Sequence, residues 1–80
     1  YAPERLVDAI AHALLDYGMQ EVAFAYFQLN TRNYEASAHA FESLGDYYVS
    51  QSSFTEASEC YGKAIELGSI SAKAKLEQFE

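Results

Sequence analysis

Two histidines, each with carboxylates about one helical turn away, are the residues of this 80-residue chain best equipped for chemistry. His12 has Asp8 and Asp16 four residues to either side; His39 follows Glu35 by four residues and is itself followed by Glu42 and Asp46. Imidazole beside carboxylate is the vocabulary of metal binding and of acid-base catalysis. A joint site needs the first and third helices side by side, so that His12 and His39 meet. The plainer reading weighs more, because the chain has no compact His-x-x-x-His or Glu-x-x-His pair. With twelve acids against five bases, a histidine also finds an acid nearby by chance. No metal and no cofactor is expected.

The other reactive groups read as packing. Cys60 precedes a core position and shares its helix with neither histidine, so a free, partly buried thiol is the expectation rather than a nucleophile. No serine lies in a Gly-x-Ser-x-Gly turn. Gly45 and Gly62 lack a phosphate-loop setting, and Tyr47 and Tyr48 lack the basic neighbours that a base-stacking platform needs.

These residues are positioned by a run of short helices. Pro3 suits a first helical turn, and Leu6, Val7, Ile10, Ala13, Leu14 and Tyr17 carry a helix to a stop at Gly18. A second helix from Met19 passes Val22, Ala23, Tyr26 and Phe27 and is ended by the polar stretch Asn30 to Asn33. Ser37 is an N-cap for a third helix reaching Ser50, and Gln51 to Ser53 turn. A fourth helix, capped by Ser53 or Thr55, runs past Ala57, Tyr61 and Ala64 to Gly68. A fifth, Ser71 to Phe79, is expected to close the stack with Leu76 and Phe79 inward and Lys73, Lys75, Glu77 and Glu80 outward.

Composition bounds the partners. A net charge of −7 argues against nucleic acid and anionic membrane, both of which require clustered Lys and Arg. No apolar run approaches the roughly 20 residues of a bilayer span, and none reads as a signal peptide. Seven Tyr and five Phe supply core bulk, and one cysteine leaves the compartment open. The start at Tyr1 rather than Met points to a piece of something longer.

Small and large residues then fall on two facing helix surfaces: Phe41, Leu44, Gly45 and Tyr48, followed by Phe54, Ala57, Tyr61 and Ala64. Backbones should approach at Gly45 and Ala57, with Tyr48, Phe54 and Tyr61 filling the sides. Moving back 34 residues lands on Val7, Ile10, Ala11 and Leu14, then Ala23, Phe27 and Asn30. This period and signature resemble the tetratricopeptide repeat. Residues 38–71 hold its Leu44-Gly45 pair, Tyr48, Phe54, Ala57, Tyr61 and Ala64. Phe41 stands for the usual Trp, Ser52 for the turn Gly and Ser69 for the closing Pro. Residues 4–37 form a weaker copy, keeping Gly18, Ala23 and Phe27, with Gln20 and Asn30 where an aromatic and Ala are usual. The resemblance implies an all-α helical-repeat solenoid of two helix-turn-helix repeats, 4–37 and 38–71, with a capping helix at 71–80, together forming one domain. The wording of the whole chain, including FQLN and FESLG, is also similar to the C-terminal tail of bacterial serine hydrolases of the esterase and β-lactamase-like kinds.

On this resemblance, the ligand-facing positions of the inner groove are Arg5, Asp8, His12, Leu15 and Asp16, then His39, Glu42, Ser43, Asp46 and Val49. Family members that grip a terminal carboxylate use Lys, Arg and Asn there, so an acidic groove suits a basic segment instead. The resulting expectation is a non-catalytic protein-interaction or scaffolding module whose exposed Leu6, Val7 and Ile10 edge docks on its own chain's hydrolase domain or on a second copy. The alternatives are a free-standing adaptor binding a basic or amphipathic peptide in the groove, and a His and carboxylate metal site.

Overall fold

Three residues with left-handed backbone divide the chain: Gly18, Ser52 and Gly68, with φ of 81°, 60° and 105°. Each follows a helix and is followed by an amide that bonds back five residues, Met19 to Leu14, Ser53 to Tyr48 and Ser69 to Ala64, all at 2.9 Å. This closure satisfies the last carbonyls of a helix and turns the chain sharply. Glycine adopts that backbone freely, whereas Ser52 does so at a cost of about 1 kcal/mol.

A computed structural model describes residues 3–78. It is all-helical, with α1 Glu4–Asp16, α2 Gln20–Asn33, α3 Ala38–Ser50, α4 Phe54–Glu66 and α5 Ile70–Glu77, and no strand among the described residues. Each helix packs on its neighbour in sequence, and α1 also touches α3. Ala38 begins α3 34 residues after Glu4 begins α1, and the same interval separates the starts of α2 and α4. Ser37 caps α3 as expected, its hydroxyl accepting from the amide of Ala40 at 3.2 Å.

The core forms two clusters. Ala11, Ala23, Phe27 and Leu44 join α1, α2 and α3, with Phe24, Tyr47, Tyr48 and Cys60 packed around them. Ala57, Tyr61, Ala64 and Ala72 join α4 to α5, with Phe41, Tyr48, Val49 and Leu76 against them. The close approach at Gly45 is present: a β-carbon there would lie 2.6 Å from Cε1 of Tyr61.

Several details differ from the sequence reading. Phe54 is 50% exposed rather than part of the seam, because it is the first residue of α4, beyond the end of α3. Val7 is buried and does not belong to the exposed edge. Asn30 lies inside α2, buried, with its amide nitrogen donating to the carbonyl of Glu4 at 3.0 Å. The last helix begins at Ile70, one residue before the expected Ser71, because the Ser69 hydroxyl accepts from the amide of Ala72. Phe79 and Glu80 fall outside the described residues.

Candidate functional site

The first half of α1 and the middle of α3 each carry two carboxylates a turn apart that face a base on the next odd-numbered helix, although the two pairs do not occupy equivalent positions in their helices. On α1 these are Glu4 and Asp8, which meet His39 of α3. The distances are 3.3 Å from His39 Nδ1 to Glu4 Oε2 and 3.8 Å from Nε2 to Asp8 Oδ2. His12 approaches Asp8 Oδ1 at 3.4 Å, and the Ser37 hydroxyl donates to Glu4 at 2.7 Å. On α3 they are Glu42 and Asp46, which meet Lys75 of α5 at 2.7 and 3.0 Å. Ser69 and Ser71 also donate to Glu42, at 2.7 and 2.8 Å. Lys75 therefore faces inward, a correction to its expected solvent position. The α3 carboxylates draw its ammonium across the α3/α5 junction.

The second clasp is the more strongly coupled. Burial alone would raise the Glu42 carboxyl, but the hydrogen bonds from Lys75, Ser69 and Ser71 outweigh it and hold Glu42 below the ordinary range. Burial likewise disfavours the charge on Lys75, yet its bonds to Glu42 and Asp46 hold the ammonium above its ordinary value. Tyr61 extends the network, its hydroxyl donating to Asp46 Oδ1 at 2.5 Å. Burial and that bond push its phenol well above the ordinary range.

Of the residues expected in an inner groove, Asp8, His12 and His39 gather in the first clasp, and Glu42 and Asp46 in the second. Ser43 is buried, and Leu15 and Val49 pack against the two core clusters. Arg5 and Asp16 are exposed at opposite ends of α1. Glu42 and Asp46 are thus engaged by the chain's own ammonium and hydroxyls, whereas Asp8 has only the two imidazoles at 3.4 and 3.8 Å and its buried Oδ1 has no hydrogen-bond partner among the described residues. Sequence reasoning missed Glu4, Ser69, Ser71 and Lys75. The available signal was the four-residue spacing of Glu4 with Asp8 and of Glu42 with Asp46. Among the described residues, no three His, Cys, Asp or Glu side chains are placed to share a metal ion, and no helix is long and apolar enough to cross a membrane. Burial, with Glu59 and Glu56 nearby, pushes the Cys60 thiol up to about 11, which keeps it protonated and unreactive at neutral pH.

Two further surfaces are open. A shallow groove of about 490 Å³ between α2, α3 and α4 is lined by Gln28, Thr31, Arg32, Glu35, Phe41, Leu44 and Lys63, none of them an expected site residue. The other surface is apolar: Leu6 and Ile10 of α1 are 53% and 40% exposed, and Val22, Tyr26 and Leu29 of α2 are exposed beside them. The residues 34 positions later than Leu6, Ile10 and Tyr26 are Ala40, Leu44 and Cys60. Ala40 and Leu44 are buried, and Cys60 packs into the cluster that α2 completes. The part of this face held by Leu6, Ile10 and Tyr26 is covered on α3 and α4 and open on α1 and α2, whereas the counterparts of Val22 and Leu29, Glu56 and Lys63, are exposed as well. No protein-family model matches the chain, and no curated protein is significantly similar to it.

Proposed function

We propose that this chain is a non-catalytic protein-interaction module, two tetratricopeptide-like helix pairs closed by α5, that docks through the apolar face of α1 and α2. The observation that carries this reading is the contrast between Leu6 and Ile10, exposed, and their counterparts Ala40 and Leu44, buried under a neighbouring helix. Apolar surface of this kind on a small chain favours association, because each buried Å² contributes about 25 cal/mol. Leu6, Ile10 and Tyr26 fall at positions whose counterparts in the second pair are packed against a neighbouring helix. The likeness to serine-hydrolase tails makes a hydrolase domain one candidate partner, and a second copy of the chain is the other.

The acidic inner groove supports a basic ligand less well, since Glu42, Asp46 and Asp8 already face Lys75, His39 and His12. The test of the docking reading is the variant carrying Ile10→Asp and Tyr26→Asp. Both side chains are exposed, so circular dichroism should show an intact helical fold. Calorimetry should show association lost, both with a serine-hydrolase domain supplied in trans and between copies. Association that survives both charges would contradict the reading.

A further inference from the structure

The exposed stripe along α1 reads Leu6, Ala9, Ile10, Ala13, alternating large and small, with no charge within it. Steps of three, one and three residues keep all four on one side of the helix. Such a stripe complements itself. Laid antiparallel on a second copy about a two-fold axis between Ala9 and Ile10, each Leu6 falls on Ala13 and each Ile10 on Ala9 of the other copy. Every bulky side chain then meets a small one, the condition for close helix packing.

The flanks agree with this register. Arg5 and Asp16 stand on one flank of the stripe about three turns apart. Both are exposed, and neither has an ion-pair partner among the described residues. The same two-fold operation sets Arg5 of each copy level with Leu14 of the other, about 3 Å along the helix from Asp16 and within reach of the long arginine side chain. On the opposite flank α2 runs antiparallel to α1, fixed by the bond from Asn30 to the carbonyl of Glu4. Leu29 is therefore level with Leu6, Tyr26 with Ile10 and Val22 with Ala13. Tyr26 meets its own counterpart near the axis, and Leu29 meets Val22. The exposed parts of these side chains amount to on the order of 400 Å² per copy. That is typical of the largest apolar patch on a monomer, and doubled it stays below the roughly 1,000 Å² of a stable specific interface, so the apolar area alone supports only a weak, transient association.

We infer that the face is a two-fold homodimer interface, α1 antiparallel on α1, with Arg5 and Asp16 paired across it. This rests on the docking reading and names its occupant. Sedimentation equilibrium of the chain over a concentration series reaching about 1 mM tests it, at affinities where each tenfold change is 1.4 kcal/mol. The weight-average mass should rise from monomer to dimer. Ile10→Asp should weaken association at least about tenfold with unchanged circular dichroism, and Ala13→Glu, also at an exposed position, serves if the first variant does not fold. Arg5→Glu and Asp16→Arg should each weaken it several-fold, and the two together should restore it to within about twofold. Both exchanges agree with the helix dipole, so α1 is retained.

A chain monomeric throughout, or a dimer indifferent to charges at Ile10 and Ala13, would overturn the inference. A double exchange no better than the single ones would overturn the antiparallel register on which it depends. A monomeric chain that still binds a hydrolase domain through Ile10 and Tyr26 would overturn this occupant and leave the docking reading standing.

Discussion

In the second helix pair a glycine faces a tyrosine, whereas in the first the same positions hold Ala11 and Phe27. The exchange conserves the seam but changes what it connects to. Gly45 lets the Tyr61 ring lie against the α3 backbone, and the phenol then reaches Asp46, which is bonded to Lys75 of α5. Packing and charge thus join α3, α4 and α5 into one unit, with α2 covering the other side. Phe27 has no hydroxyl to extend such a network, and the first pair meets α3 through a histidine. Its outer face is covered by no helix among the described residues. Two pairs of similar plan are therefore unequal in closure: the second is enclosed and the first presents surface.

The sharpest way to break this comparison is Gly45→Ala. Alanine is the better helix former by about 1 kcal/mol, so an open site would be stabilised. With the Tyr61 ring buried and its hydroxyl held, overpacking should win and net destabilisation of about 2 kcal/mol should appear in urea unfolding. A more stable variant would show that the seam is looser than described.

Lys75→Met comes next. Removing the ammonium leaves Glu42 and Asp46 facing each other. Because Lys75 and Asp46 are partly exposed, the loss should be about 1 kcal/mol at neutral pH. Its pH dependence follows from the directions of the shifts. Glu42 is held below its ordinary value, so its contribution is present above the unfolded carboxyl range and is lost as pH falls through the lowered folded value. Lys75 is held above its ordinary value, so its contribution is lost only as pH rises through that raised value. The stability difference between the native chain and Lys75→Met should be full near neutrality and shrink in acid. A difference that grows in acid would contradict the coupling.

The smallest effect is expected from His39→Lys, which gives the first junction the permanent charge of the second. A lysine carries its charge throughout the neutral range. The exposed position limits the gain to about 0.5 kcal/mol, read as a small rise in melting temperature. No gain would mean that Glu4 and Asp8 do not act on position 39 as Glu42 and Asp46 act on Lys75.

Much of the fold was legible because the helices are short and their boundaries have local causes. Gly18 and Gly68 end helices where only a left-handed residue fits, Ser37 caps α3, and apolar spacing of three and four set the buried sides. Phe54 and Val7 were misplaced for a different reason. Periodicity gives a residue's direction around its helix but not whether a neighbouring helix extends far enough to cover it. The clasps were less legible still. His12 and His39 drew attention as chemistry, yet the partners that define their surroundings, Glu4 above all, lie on a neighbouring helix. Lys75 read as solvated because nothing local to α5 shows that Glu42 and Asp46 stand opposite.

The unequal closure of the two pairs is tested most directly by amide hydrogen exchange of each helix in dilute and in concentrated solution. At low concentration, amides of α3 and α4 should be the better protected and those of α1 and α2 should open more readily. At high concentration, protection of α1 and α2 should rise while that of α3 and α4 changes little. Equal protection of the two pairs in dilute solution, unchanged on concentrating, would contradict the account.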